Sequence, residues 1–135
     1  MTGEELVALA KEAMQTAYAP YSGCSVGAAL LTASGKIYLG CNIENAAFGP
    51  TVCAERTAFF KAVSEGERDF SAIAIVGGTH GVIEGTFPPC GVCRQVMREF
   101  CDPKSFLILL GKRDGYEEYT LDELLPQSFG PQFLG

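Results

Sequence analysis

Two apolar runs restrict the possible folds more than anything else in the chain: "FSAIAIVGG" (70–78) and "SFLILLG" (105–111). Neither shows the polar–apolar alternation of a strand with one wet face, so both read as strands covered on two sides. Between them the sequence predicts a loop over 79–89 and a helix over 90–101, which Asp102 and Pro103 close. Strand, helix and strand in that order fit a sheet that contains a parallel pair and is layered with helices.

The other segments extend this scheme. Residues 3–18 place Leu6, Leu9, Ala10, Ala13, Met14 and Ala17 at helical spacing. Thr2 and Glu5 fit a capping box before that helix, and Pro20 stops it. "CSVGAALLTA" (24–33) and "KIYLGCN" (36–42) are strand-like runs joined by the turn signal Ser34-Gly35, which predicts a hairpin. A loop over 42–50 leads to a helix over 51–65, with Gly66 as its stop. "KRDGYEEYT" (112–120) reads as a turn and a short edge strand. Thr120 and Glu123 make a second capping box before a short helix over 121–126, and the tail 127–135 reads as irregular. This order predicts a central sheet covered on both sides, which the opening hairpin makes mixed rather than wholly parallel.

Composition bounds the function. The 135 residues fit one domain spanning 1–135, and 47% hydrophobic residues suffice for its core. No uncharged apolar stretch of about 18 residues occurs, so no membrane span is expected. The start, "MTGEELVALAKEAM", carries acids early and no basic segment before an apolar run. A signal peptide is therefore not expected, and the cytoplasm is the expected compartment. A formal charge of −6 with 10 Lys and Arg argues against nucleic acid as a partner. The six cysteines, at 24, 41, 53, 90, 93 and 101, are expected to be reduced rather than bridged.

Three of those cysteines carry the chemistry. "PPCGVCRQVM" (88–97) sets Cys90 and Cys93 three residues apart at a predicted helix start. The proline pair suits the first turn, and the helix dipole there favours the thiolate. That spacing suits zinc ligation or a redox pair; a thioredoxin-like motif, however, follows the first strand of its fold, and this one comes late. "TVCAERTA" (51–58) puts Cys53 at another helix start. A strand–loop–helix path returns the second helix to the same sheet end as the first, which would gather Cys53, Cys90 and Cys93. Three ligands leave zinc an open position, as in catalytic sites; a fourth, from Cys24, Cys41, Cys101 or His80, would close it. Glu55 stands two residues from Cys53, about 200° around an ideal helix, so Cys53 must sit at the helix lip if both reach one site. A carboxylate there can carry protons, and Arg56 can offset the charge of three thiolates.

The motifs C-A-E (53–55) and P-C-G-V-C (89–93), with "CNIEN" (41–45) ahead of both, are together highly specific. With "AYAPYSGCSVGAALLT" and "LLPQSFGP" they make nearly the whole chain similar to the small homotetrameric, zinc-dependent cytidine deaminases of nucleoside salvage. The resemblance implies a three-layer α/β/α fold with a five-stranded mixed sheet. It implies zinc on Cys53, Cys90 and Cys93, with Arg56 against the thiolates and Glu55 as proton carrier between water, ring N3 and the departing ammonia. It also implies that the Ala54 amide holds the carbonyl side of the base, and that Asn42 and Glu44 bind the ribose 3′-hydroxyl. Phe129 would stack on the base in a neighbouring subunit, and Ala46 and Phe48 would lend contacts across subunits. The chain departs from the family pattern at Cys24, where an aromatic is usual, and at Phe48, where Tyr is common. These departures keep a second reading open, deamination of another aminopyrimidine nucleoside. A structural zinc module remains as a third.

Overall fold

Helix α1 (Gly3–Ala13) opens on the expected capping box: Thr2 Oγ1 accepts from the Glu5 amide at 3.1 Å, and Glu5 Oε1 accepts from the Thr2 amide at 3.2 Å. In the computed structural model, which describes residues 1–135, α1 is shorter than its apolar spacing predicts. Its bonding tightens into a 3-10 turn at Met14–Thr16. Tyr18 then bridges to Ile43, so the backbone has left the helix before Pro20 is reached.

Strands β1 (Cys24–Thr32) and β2 (Ile37–Cys41) form the hairpin, with Ala28 opposite Gly40. Helix α2 (Ala54–Ser64) follows, then β3 (Phe70–Thr79), α3 (Gly91–Phe100), β4 (Leu107–Gly111), β5 (Tyr116–Thr120) and α4 (Leu121–Leu124). The sheet order is β2-β1-β3-β4-β5. Only β3 and β4 are parallel neighbours, with Ile73 opposite Ile108, and the other pairs are antiparallel. The two apolar runs thus occupy interior positions, where both faces are covered. Thr120 caps α4 with Glu123 as expected.

Side-chain alternation splits the core between the two faces. On one face Val26, Ala28, Leu30, Ile73, Ile75, Ile108 and Leu110 pack with Phe59 of α2 and Met97 of α3. On the other, Ala29, Ala74, Val76 and Leu109 pack with Leu6, Val7 and Ala10 of α1. The result is a three-layer α/β/α fold about a five-stranded mixed sheet.

Several predicted boundaries move. Helix α2 begins at Ala54 rather than at 51, because Val52 bridges Ile43 and Cys53 is the extended N-cap. Helix α3 begins at Gly91 with Cys90 as N-cap, so Pro88 and Pro89 lie outside it and do not fill its first turn. Strand β4 starts at Leu107, because the amides of Ser105 and Phe106 turn back to the Asp102 carbonyl. The tail is not wholly irregular: Pro131–Leu134 form a 3-10 turn with proline near its start.

Candidate active site

Strands β2 and β3 both pair antiparallel with β1, so they run in the same direction. Helix α2 follows the end of β2, and α3 follows the end of β3. Their N-termini therefore open at one edge of the sheet, flanking the first residues of β1. Ligand sites of open α/β sheets lie at the carboxyl ends of strands for this reason. A cavity of about 220 Å³ sits there, lined by Cys24 and Val26 of β1, Asn42 and Glu44 after β2, Thr51 to Glu55, and Phe87, Pro88 and Cys90.

At the cavity floor the sulfurs of Cys53, Cys90 and Cys93 lie within 4.8 Å of one another. Cys53 Sγ is 3.8 Å from Cys90 Sγ, which is 3.4 Å from Cys93 Sγ. Tetrahedral zinc with Zn–S bonds near 2.3 Å holds its sulfurs about 3.8 Å apart, so the cluster has the size that ion needs. Cys53 (φ −75°, ψ 156°) and Cys90 (φ −69°, ψ 168°) are extended N-cap residues, and neither side chain caps its helix. N-caps are usually Ser, Thr, Asp or Asn. A thiol in that place aims at the cavity, beside the positive helix end. The extended geometry also resolves the spacing problem, because Cys53 is at the lip while Glu55 is inside the first turn.

No fourth ligand joins the cluster. Cys24 lines the same cavity, but its sulfur pairs with Thr79 Oγ1 at 3.8 Å. Cys41 bonds at Thr16, Cys101 is buried in the core, and His80 packs its ring by Gly23. A closed four-ligand module is thereby disfavoured, and the set suits a zinc with one position open.

Electrostatics divide the labour among these groups. The neighbouring Cys93 thiol, followed by Arg56, holds Cys53 down to about 5, well within the thiolate range at neutral pH. Cys93 is correspondingly pushed up, by its contact with Cys53 first and then by burial. Glu55 is 4% exposed, and burial, with the Cys53 charge, raises its carboxyl from 4.5 to about 7. Arg56 Nη2 donates to Cys53 Sγ at 3.4 Å, while Arg56 Nε is buried without a partner. Burying that donor is unfavourable, while the Cys53 sulfur beside the guanidinium favours its charge.

The loop residues divide as well. Asn42 Oδ1 accepts from the Val26 amide at 2.9 Å, and its Nδ2 donates to the Cys24 carbonyl at 2.8 Å. Glu44 accepts from the amides of Tyr21 and Ser22 at 2.9 and 3.1 Å, and from Ser22 Oγ at 2.5 Å. Those donors hold its carboxyl below the usual range, Ser22 first. Ala54 is buried at the first turn of α2, where amides have no intrahelical partner.

Phe48 and Phe129 are not brought to the floor of the cavity. Phe48 is 80% exposed and lines an adjoining hollow with Tyr21, and Ala46 beside it is exposed too. Phe129 is 56% exposed and stacks on Phe133 with ring centres 5.5 Å apart. Sequence reasoning did not single out Ser22, Phe87 or Arg94. Arg94 donates to the carbonyls of Pro89 at 2.8 Å and Leu124 at 2.6 Å, which ties the segment before Cys90 to α4.

Three convergent thiols beside a protonatable carboxylate, at the open edge of an α/β/α sheet, define a metal-centred acid–base site. Residues 1–109 match the family described as "Cytidine and deoxycytidylate deaminase zinc-binding region", and the chain belongs to that family. It is 51% identical to the cytidine deaminase of Sporosarcina psychrophila over 134 residues, 99% of this chain and 96% of that protein. It is 50% identical to the cytidine deaminase of Halalkalibacterium halodurans, over 96% of this chain and 95% of that protein. The crystal structure of cytidine deaminase from Burkholderia pseudomallei superposes with a TM-score of 0.87 at 46% identity, over 96% of this chain and 100% of that one.

Proposed function

We propose that the chain hydrolyses cytidine and 2′-deoxycytidine to uridine and 2′-deoxyuridine with release of ammonia, in pyrimidine salvage. The observation that carries this reading is Glu55. A carboxyl that is 4% exposed and sits beside three sulfurs gathered within 4.8 Å is placed to accept and return a proton.

Cys53, Cys90 and Cys93 would hold zinc, which when bound supplies Lewis acidity toward water at its open position. Glu55 takes a proton from the attacking water and delivers it to ring N3. The water oxygen bonds to C4, and Glu55 then carries that oxygen's remaining proton to the C4 amino group; the C4–N bond breaks and its electron pair leaves with ammonia. Water enters, ammonia leaves, and the carboxylate is regenerated. Arg56 offsets the charge of the thiolates, so the donor set stays less basic. The Ala54 amide holds the carbonyl side of the base, while Asn42 and Glu44 hold the 3′-hydroxyl of the sugar.

The nucleoside is completed by neighbouring copies in this reading. Phe48, Phe129 and Phe133 are large apolar rings exposed at 80%, 56% and 63%, which supports a homotetramer whose sites are shared. Six free cysteines support the cytoplasm as its compartment. No helix is long and apolar enough to cross a membrane. The net charge of −6 supports a small-molecule substrate rather than nucleic acid.

The test is the loss of ultraviolet absorbance when cytidine is added to zinc-loaded protein. Activity is expected in the parent and absent in Glu55→Ala, with zinc bound in both. Parent protein that leaves cytidine unchanged overturns the substrate assignment. Cys24 supports the second reading, another aminopyrimidine nucleoside, because a small thiol lines the cavity wall. A panel of ring-substituted cytidines decides it by kcat/KM.

A further inference from the structure

The two residues assigned to the sugar have little hydrogen-bonding capacity left. Glu44 Oε1 already accepts from the Tyr21 and Ser22 amides, and Oε2 accepts from Ser22 Oγ. A carboxylate has about four acceptor sites, so about one remains. The amide of Asn42 accepts from Val26 on its oxygen and donates one hydrogen to Cys24, which leaves one N–H donor and one oxygen lone pair. The free Glu44 acceptor and the free Asn42 N–H in the same cavity suit one hydroxyl, a group that gives one hydrogen bond and takes another.

Ser22 decides where that last acceptor points. Its oxygen accepts from the Cys24 amide at 3.0 Å, which turns its hydroxyl proton toward Glu44. It is the only side chain that bonds Glu44; the other two donors are backbone amides on the same oxygen, Oε1. Without it, Oε2 has no fixed partner and the carboxylate plane is free to turn. The loop beneath it is tied down by contrast: Gly23 lies at φ +72°, and the His80 amide donates to its carbonyl at 2.6 Å.

We propose that Ser22 is a positioning residue. Its hydroxyl locks the Glu44 carboxylate so that one acceptor site faces the nucleoside, and this lock sets the recognition of the sugar 3′-hydroxyl. The inference rests on the reading that Asn42 and Glu44 hold that hydroxyl.

The test is steady-state kinetics of full-length, zinc-loaded protein with cytidine, 2′-deoxycytidine and 3′-deoxycytidine. Ser22→Ala is expected to raise KM for the first two about 3- to 10-fold, in line with loss of one oriented charged hydrogen bond. kcat should stay within about twofold, because the contact is made equally before and during reaction. KM for 3′-deoxycytidine should not move, and Ser22→Thr, which keeps the hydroxyl, should restore cytidine. An equal KM rise for all three nucleosides, a fall in kcat alone, or no change overturns the role of Ser22. The parent protein separates the two levels. If it handles 3′-deoxycytidine as well as cytidine, the sugar assignment of Asn42 and Glu44 fails and the proposal fails with it. If the parent discriminates and Ser22→Ala discriminates equally, only the lock fails. Ser22 is exposed, so zinc content and circular dichroism should match the parent.

Discussion

Glu55 shows how far this site departs from what stability alone would select. Its carboxyl is raised to about 7, against 4.5 in an unfolded chain. Below about 4.5 both states are protonated and nothing is lost. Between there and about 7 the unfolded chain ionises first, so stability falls as pH rises; above about 7 the full penalty, on the order of 3 kcal/mol, is present. Glu55→Gln should therefore stabilise metal-free, reduced protein by roughly that amount at pH 8 and by nothing near pH 4, as urea unfolding would measure. Arg56→Gln should leave three sulfurs on the ion but lower kcat about 10-fold or more, since groups that support metal ligands typically count for that much. Zinc analysis beside the cytidine assay checks both halves. Cys24→Phe should lower kcat/KM for ring-substituted cytidines more than for cytidine, because it fills the cavity wall. That Cys53, Cys90 and Cys93 would gather was legible in the sequence, because a strand–loop–helix path returns both helix starts to one sheet end. Ser22 was not, because a serine in a turn is ordinary and nothing local says that Glu44 lies across from it.

At the scale of elements, two glycines set how closely the helices approach. A Cβ on Gly40 would lie 2.4 Å from the Ala54 carbonyl oxygen and 2.7 Å from the Ala58 nitrogen, at the start of α2. A Cβ on Gly27 would lie 2.1 Å from the Ala10 carbonyl oxygen, against α1. Each contact is backbone, so a helix must shift. Both Gly40→Ala and Gly27→Ala should cost about 1–3 kcal/mol in thermal or urea unfolding. Only Gly40→Ala should also weaken zinc, because only α2 carries Cys53; competition with a chromogenic chelator would show the difference. The hairpin, the two capping boxes and the interior strands were readable from periodicity and turn chemistry. The starts of α2 and α3 were not: Cys53 and Cys90 have side chains that cap nothing, so no local signal separates an N-cap from a first turn there.

The whole molecule holds its tail by α3. Gln95 Nε2 donates to the Phe129 carbonyl at 2.9 Å, and Arg98 Nε donates to Ser128 Oγ at 2.8 Å. A Cβ on Gly130 would lie 2.4 Å from the Arg98 guanidinium, so the tail lies flat on that side chain. The helix that carries Cys93 thus also holds the tail that bears the exposed Phe129 and Phe133. Removing residues 129–135 should shift the species seen by light scattering to smaller assemblies and lower activity, while zinc per chain is retained. An unchanged mass would show that the aromatic tail does not join the copies.

The sequence by itself determined the kinds of element and their order, the apolar strands that must be interior, and the chemical types able to bind metal and move protons. Those properties are local: they depend on periodicity, turn residues and side-chain chemistry. Only the tertiary structure decided which atoms meet. Because β2 and β3 run the same way on either side of β1, α2 and α3 start at one edge, and three sulfurs from two distant segments come within 4.8 Å. Burial at that edge lifts Glu55, and the turn before β1 lays Ser22 on Glu44. Distance and desolvation are properties of packing between segments.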